Sequence, residues 1–197
     1  EFDPMFNCPF IGIIGNEFLR NNNIVLDYET ETLHASTDSI EVNPEDYEFL
    51  FPMSFGLNQY NIPVVGLVYG DKKYLMVADS GANDTVITKH LMDEAGICVK
   101  HLGNDGTLTC FSTDTLETSL YDVTLSIFSL GGTSECPKLY TKHDKAQVIG
   151  NCQHIMEGLK DADGNDLMPV SGLLSSEFMH RNKWVLDFET CVMYQRK

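Results

Sequence analysis

Asp79-Ser80-Gly81-Ala82 is the sharpest candidate for chemistry in the chain. The apolar run Leu75-Met76-Val77-Ala78 delivers the Asp79 carboxylate into a tight turn. Ser80 can hydrogen-bond across such a turn, and Gly81 admits backbone where a Cβ would collide. A strand-terminal carboxylate on a glycine turn can serve as a general base, although the same residue types also mark ordinary solvated turns. Other clusters carry less. Asp161-Ala162-Asp163-Gly164-Asn165-Asp166 alternates carboxylates as a calcium loop does, but it lacks the twelfth-position Glu and reads as a solvated acidic turn. Cys152-Gln153-His154 sets a thiol beside an imidazole without the second pair that a structural zinc needs. No pattern brings a cysteine to a helix start with an orienting histidine. No metal and no cofactor are expected.

The elements that position Asp79 read mainly as short strands. Pro63 to Tyr69 and Tyr74 to Ala78 are apolar runs about a Gly70-Asp71 turn, which predicts a hairpin. Val86, Ile87, His90, Leu91 and Glu94 recur at spacings of three and four, so Thr85 to Ala95 is expected as one short helix stopping at Gly96. Strand-like runs follow at Leu108 to Ser112, Ser119 to Leu130 and Ala146 to Ile149. Many strands and one or two short helices predict a mainly β, barrel-like domain.

The chain also repeats itself. Ile11-Gly12-Ile13-Ile14-Gly15-Asn16-Glu17-Phe18-Leu19 and the following Val25-Leu26-Asp27-Tyr28-Glu29-Thr30 recur from Ser171 to Thr190 at a constant offset of 160 residues. Each copy spells an apolar run, a helix of about two turns and a strand closed by an acidic turn. The first copy lies closer to the start of the chain than the offset, so it reads as the end of an upstream repeat whose body lies outside these residues. The expected organisation is such an element over 1–37, a linker with one apolar anchor over 38–57, and one domain over 58–197.

Together these motifs resemble the retropepsin-like aspartic proteases. Asp79-Ser80-Gly81-Ala82 is similar to that family's active-site turn, and Gly172-Leu173-Leu174-Ser175, 93 residues after Asp79, is similar to its closing loop and helix, with Ser175 where the family has a second glycine. The resemblance implies a retropepsin-like acid-protease β-barrel and an aspartic endopeptidase acting on peptide or protein substrates. Ser80 would lock two active-site turns together, Gly81 would admit substrate backbone and Ala82 would flank the scissile bond. Such an enzyme needs two carboxylates sharing one proton, because like charges about 3 Å apart cannot both ionise cheaply. No other Asp-[Ser/Thr]-Gly occurs here, so the second Asp must come from a homodimer or from the upstream repeat. A flap hairpin is expected from Leu108 to Phe111 and from Ser119 onward, with its tip at Ser112 to Thr115. The alternative is a non-catalytic peptide-binding or assembly module on the same fold.

Composition narrows the partners. The 197 residues carry 13 Lys+Arg against 29 Asp+Glu, a net charge of −16, which repels phosphate backbones and anionic lipid. Neither nucleic acid nor a membrane is an expected partner, and no apolar run is long enough for a spanning helix. Glu1-Phe2-Asp3-Pro4 carries no signal-peptide pattern and reads as an artificial boundary or a processed end. Six isolated cysteines read as free thiols, and localisation stays open.

Overall fold

The computed structural model describes residues 2–3, 8–9, 13–36, 43–53, 62–97, 99–103, 106–109, 115–132, 137–150, 165 and 170–197. Strands β1 (Phe2–Asp3) and β2 (Cys8–Pro9) pair antiparallel. The first copy of the repeat follows as α1 (Asn16–Asn21), β3 (Ile24–Asp27) and β4 (Thr32–Ala35). A 3-10 turn at Pro44–Asp46 leads into β5 (Tyr47–Pro52). Next come β6 (Val64–Tyr69), β7 (Lys72–Ala78), β8 (Thr85–Thr88), α2 (Lys89–Ala95), β9 (Val99–His101), β10 (Gly106–Thr109), β11 (Thr115–Gly132), β12 (Pro137–Ile149) and β13 (Val170–Leu174). The second copy closes the chain as α3 (Ser176–Arg181), β14 (Val185–Asp187) and β15 (Val192–Arg196).

Six strands run in the order β6-β7-β13-β8-β12-β11, and β11 returns to β6 where Ile127 faces Leu67, so the sheet closes into a barrel. The molecule is mainly β with short helices, as the sequence predicts. Tyr69 faces Lys72 across the Gly70-Asp71 loop, and Gly70 takes φ +63°, which a glycine adopts without strain. Closure leaves those barrel strands no free edge to recruit other chains. Met76, Ile87, Leu125 and Ile127 are fully buried in the core.

A second sheet runs β4-β3-β14-β15-β5 and joins the two repeat copies. Leu26 on β3 faces Leu186 on β14, each the counterpart of the other, with Val25 opposite Asp187 and Asp27 opposite Val185. An antiparallel pair centred on equivalent residues has a local two-fold axis. The surrounding hydrogen bonds obey it: Tyr28 N–H donates to the Trp184 carbonyl and Phe188 N–H to the Ile24 carbonyl, both at 3.0 Å. Asp27 Oδ1 accepts from the N–H groups of Glu29 and Thr30, and Asp187 Oδ1 from those of Glu189 and Thr190. Trp184 is core: Phe49 stacks on it at 4.5 Å and Phe178 meets it edge-on at 5.4 Å. Its indole N–H donates to the Tyr140 hydroxyl at 3.2 Å, which donates to Gln195 Oε1 at 2.5 Å.

Three expectations need correction. Thr85–Thr88 is a strand, not the first turn of a helix, because all four residues are buried, two are packed against β12 and β13 alike, and β-branched side chains suit such a site. The helix itself is Lys89–Ala95, capped by the Thr88 hydroxyl and ended by Gly96 at φ +59°. Within the stretch expected as a linker, β5 pairs with β15 and buries Phe49 and Leu50, so that part belongs to the sheet. The return strand of the expected flap begins at Thr115 rather than Ser119, with Leu108 facing Leu116. The remainder of its tip, Ser112 to Asp114, lies outside the described residues, as do Cys110 and Phe111 of its first strand, Cys152 to His154, and the acidic turn from Asp161 to Asp166 apart from Asn165.

Burial raises the Tyr69 hydroxyl from its ordinary 10.0 to about 12, and that hydroxyl donates to the Thr124 carbonyl at 3.0 Å. The folded state therefore keeps a proton that the unfolded chain releases, and this hydroxyl's contribution to stability is complete below pH 10 and is lost between pH 10 and 12. Urea midpoints measured across that interval should drop for the wild type and drop less for Tyr69→Phe.

Candidate active site

Backbone bonds from two separate elements build the turn at Asp79. Asp79 N–H donates to the Leu174 carbonyl at 2.9 Å, tying the end of β7 to the end of β13. Ala82 N–H donates to the Asp79 carbonyl at 3.3 Å, and Gly81 N–H donates to Asp79 Oδ1 at 2.9 Å. A Cβ on Gly81 would stand 3.3 Å from that same Oδ1, closer than ordinary contact, which gives the glycine a steric reason. From the other side, the N–H and the hydroxyl of Ser176 both donate to the Ala82 carbonyl at 2.9 Å. The first turn of α3 thus clamps the loop that carries the carboxylate. Asp79 is half-buried, while Ser80 and Gly81 are exposed.

Beneath the turn lies a buried polar network. Thr85 Oγ1 donates to Asp144 Oδ2 at 2.5 Å, Arg181 pairs with the other Asp144 oxygen, and the Ser175 hydroxyl lies 3.3 Å from Thr85 Oγ1. Ser175 takes φ −77° and ψ 164°, ordinary extended backbone, and its hydroxyl accepts from Phe178 N–H at 3.0 Å. The residue that departs from the glycine of the resembled pattern is therefore an N-cap. Gly15, its counterpart in the first copy, caps α1 without any side-chain bond. Gly172 has the opposite character, since a Cβ there would meet the Val86 carbonyl oxygen at 2.8 Å and Met76 Cε at 2.7 Å. Leu174 is fully buried, and Leu173 packs beside Val77 and Val170.

The fold brings Asp79, Ser80, Gly81 and Ala82 together with Gly172, Leu173, Leu174 and Ser175. Among the described residues, the hydrogen bond to the Asp79 carboxylate comes from Gly81 alone, and no second carboxylate is bonded to it. A cleft of about 460 Å³ opens beside the turn, lined by Ser80, Leu26, Asp27, Tyr28, Leu33 and His180 among others. A larger one, about 690 Å³, lies under the β10–β11 hairpin; Asp79 lines neither, and the turn reaches the smaller one through Ser80. Burial, with the negative charge of Asp79 adding to it, raises the Tyr28 hydroxyl to about 12, so it stays a proton donor at neutral and acid pH. The sequence reading missed Tyr28. Its signal was the repeat, in which Tyr28 stands where the second copy has Phe188. The Thr85–Asp144–Arg181 network was hidden because Asp144 lies on β12, far from Asp79 in sequence.

Comparison with solved structures finds a fold-level similarity to a retropepsin-like aspartic protease from Rickettsia conorii, at 16% identity and a TM-score of 0.40, over 74% of this chain and 97% of that one. No protein-family profile and no curated protein matches the chain.

Gly172→Ala should destabilise the protein by about 1–3 kcal/mol, because the backbone oxygen of Val86 cannot give way. Gly15→Ala, with open space around its Cβ, should not show that loss. Ser175→Ala should cost about 1 kcal/mol through the lost cap. Denaturant midpoints at constant slope would report all three.

Proposed function

We propose that this protein is an aspartic endopeptidase whose working site pairs Asp79 with an aspartate from a second retropepsin-like domain. The observation that carries the reading is the carboxylate of Asp79, aligned by Gly81 N–H on a turn clamped by Ser176 and opening on a cleft beside a two-fold axis. A two-fold axis next to one carboxylate supplies the symmetry by which a second domain would bring another.

In the assembled dyad one carboxylate is ionised and one is protonated. The ionised one takes a proton from water as the water oxygen attacks the peptide carbonyl. The neutral one gives its proton to the carbonyl oxygen, and collapse of the tetrahedral species then passes a proton to the departing amine nitrogen. Ser80 would bond its counterpart across the axis, Gly81 would leave room for substrate backbone, and Ala82 would flank the bond being cut. The β10–β11 hairpin would serve as the flap. The second Asp would come from a homodimer or from an upstream repeat. A peptide-binding module without turnover is the second reading, favoured by the single bonded carboxylate among the described residues.

The test is cleavage of a diverse peptide library across about pH 3 to 7, the range in which a coupled carboxylate pair titrates, with particle mass measured in the same buffers. The wild-type assembly should show a bell-shaped acid profile and inhibition by a statine-type mimic. Asp79→Asn should lower the rate by about 10²–10⁴-fold without changing mass or fold, as loss of a general acid–base group does. Peptide binding with no turnover, equal in wild type and Asp79→Asn, would establish the module instead.

A further inference from the structure

Four large apolar side chains of the first repeat copy face solvent: Ile13 is 74% exposed, Ile14 63%, Phe18 54% and Leu33 58%. Their counterparts in the second copy are Leu173, Leu174, Phe178 and Met193, of which the last three are 0% exposed. The second copy therefore shows what such a face is made to meet. Leu174, Phe178 and Met193 lie in the core cluster with the barrel residues Met76, Ile87 and Leu125. Leu173 and Leu174 belong to β13, which runs between β7 and β8 as one of the six barrel strands. The outer edge of β4 repeats the theme: its four residues are all exposed, whereas the equivalent edge of β15 is covered by β5.

We infer that residues 13–36 are the closing element of a second barrel, and that this barrel is contributed by the same polypeptide N-terminal to residue 13. The inference rests on the proposed function for what the second barrel would carry, and it names the source of that domain. A second copy of this chain is a poor occupant for two reasons. The edge of β14 at the two-fold axis is already taken by β3. The barrel of a second copy also has its β13 position filled by its own residues 170–174. The occupant must be a barrel lacking its own closing strand and helix, and the first copy is that missing part. It is held ready by β3–β14 pairing, by ion pairs of Arg196 with Asp27 and Glu29, and by a hydrogen-bond contact between His180 and Glu31. The cleft lined by Tyr28 and Ser80 then becomes the seam between the two barrels.

The experiment compares residues 1–197 with the polypeptide extended upstream to the start of its reading frame, by sedimentation and amide hydrogen exchange. Residues 1–197 should be monomeric with fast exchange in α1. The extended chain should also be monomeric, with α1 exchange slowed on the order of tenfold or more. Phe18→Asp should leave the unfolding midpoint of 1–197 unchanged and lower that of the extended chain, while Phe178→Asp should unfold both. A reading frame without a barrel-length segment before residue 13 would overturn the inference, as would unchanged α1 exchange in the extended chain or a dimer of 1–197 that protects α1. Protection without peptide cleavage would leave the inference standing and sink the protease reading. Cleavage by a dimer of 1–197 unaffected by Phe18→Asp would do the reverse.

Discussion

Backbone hydrogen bonds between β3 and β14 join residues 24–27 to residues 185–187 across a sequence gap that contains the whole barrel. Antiparallel pairing alternates side chains between the two sheet faces, so a slip of one residue would move every side chain of the slipped strand to the opposite face. Here such a slip would part Ile24 from Trp184, which share one buried cluster, and Val25 from Val185, which share another, and the register with Leu26 opposite Leu186 is fixed by that cost. The two-fold relation between the copies is thus a packing requirement as well as a trace of duplication. Arg196 reinforces it from the second copy by reaching Asp27 and Glu29 of the first.

The same sheet governs the turn at Asp79. β14 follows α3, α3 follows β13, and it is the junction of β13 with α3 that grips the turn through Leu174 and Ser176, while Ser175 between them holds Thr85. Asp-Ser-Gly by itself specifies a turn with many possible settings. The closing element selects one, because three hydrogen bonds to Leu174 and from Ser176 leave the loop little freedom and Gly172 lets β13 approach β8 closely enough to make them.

Much of this was legible from residue order. The Gly70-Asp71 hairpin carries its own turn chemistry, and the repeat reveals itself by identity at a fixed offset. Asp79 stands out as a carboxylate just past a strand end, and Gly172 as a glycine inside an apolar run that recurs in both copies. What escaped was non-local. Thr85 to Thr88 fits a helical spacing as well as a strand, and only the neighbours β12 and β13, from much later in the chain, decide between them. β5 hides among Pro, Asn and acidic residues, and its apolar core of Phe49 and Leu50 acquires meaning only when β15 lies alongside. Tyr28 and Asp144 carry no local motif, and distant pairing alone brings them to the turn.

The two copies agree in backbone and differ in chemistry. Tyr28 stands opposite in role to Phe188, and Gly15 to Ser175, so the flanks of the axis are unlike although their geometry matches. A site with perfect two-fold symmetry offers the same surroundings to either orientation of a directional ligand, because rotation maps one orientation onto the other. Unlike flanks lift that degeneracy. The duplicated sheet in this chain can therefore distinguish the head from the tail of whatever lies across it, and each copy is free to diverge without the compensating change that an identical partner would impose on both sides at once.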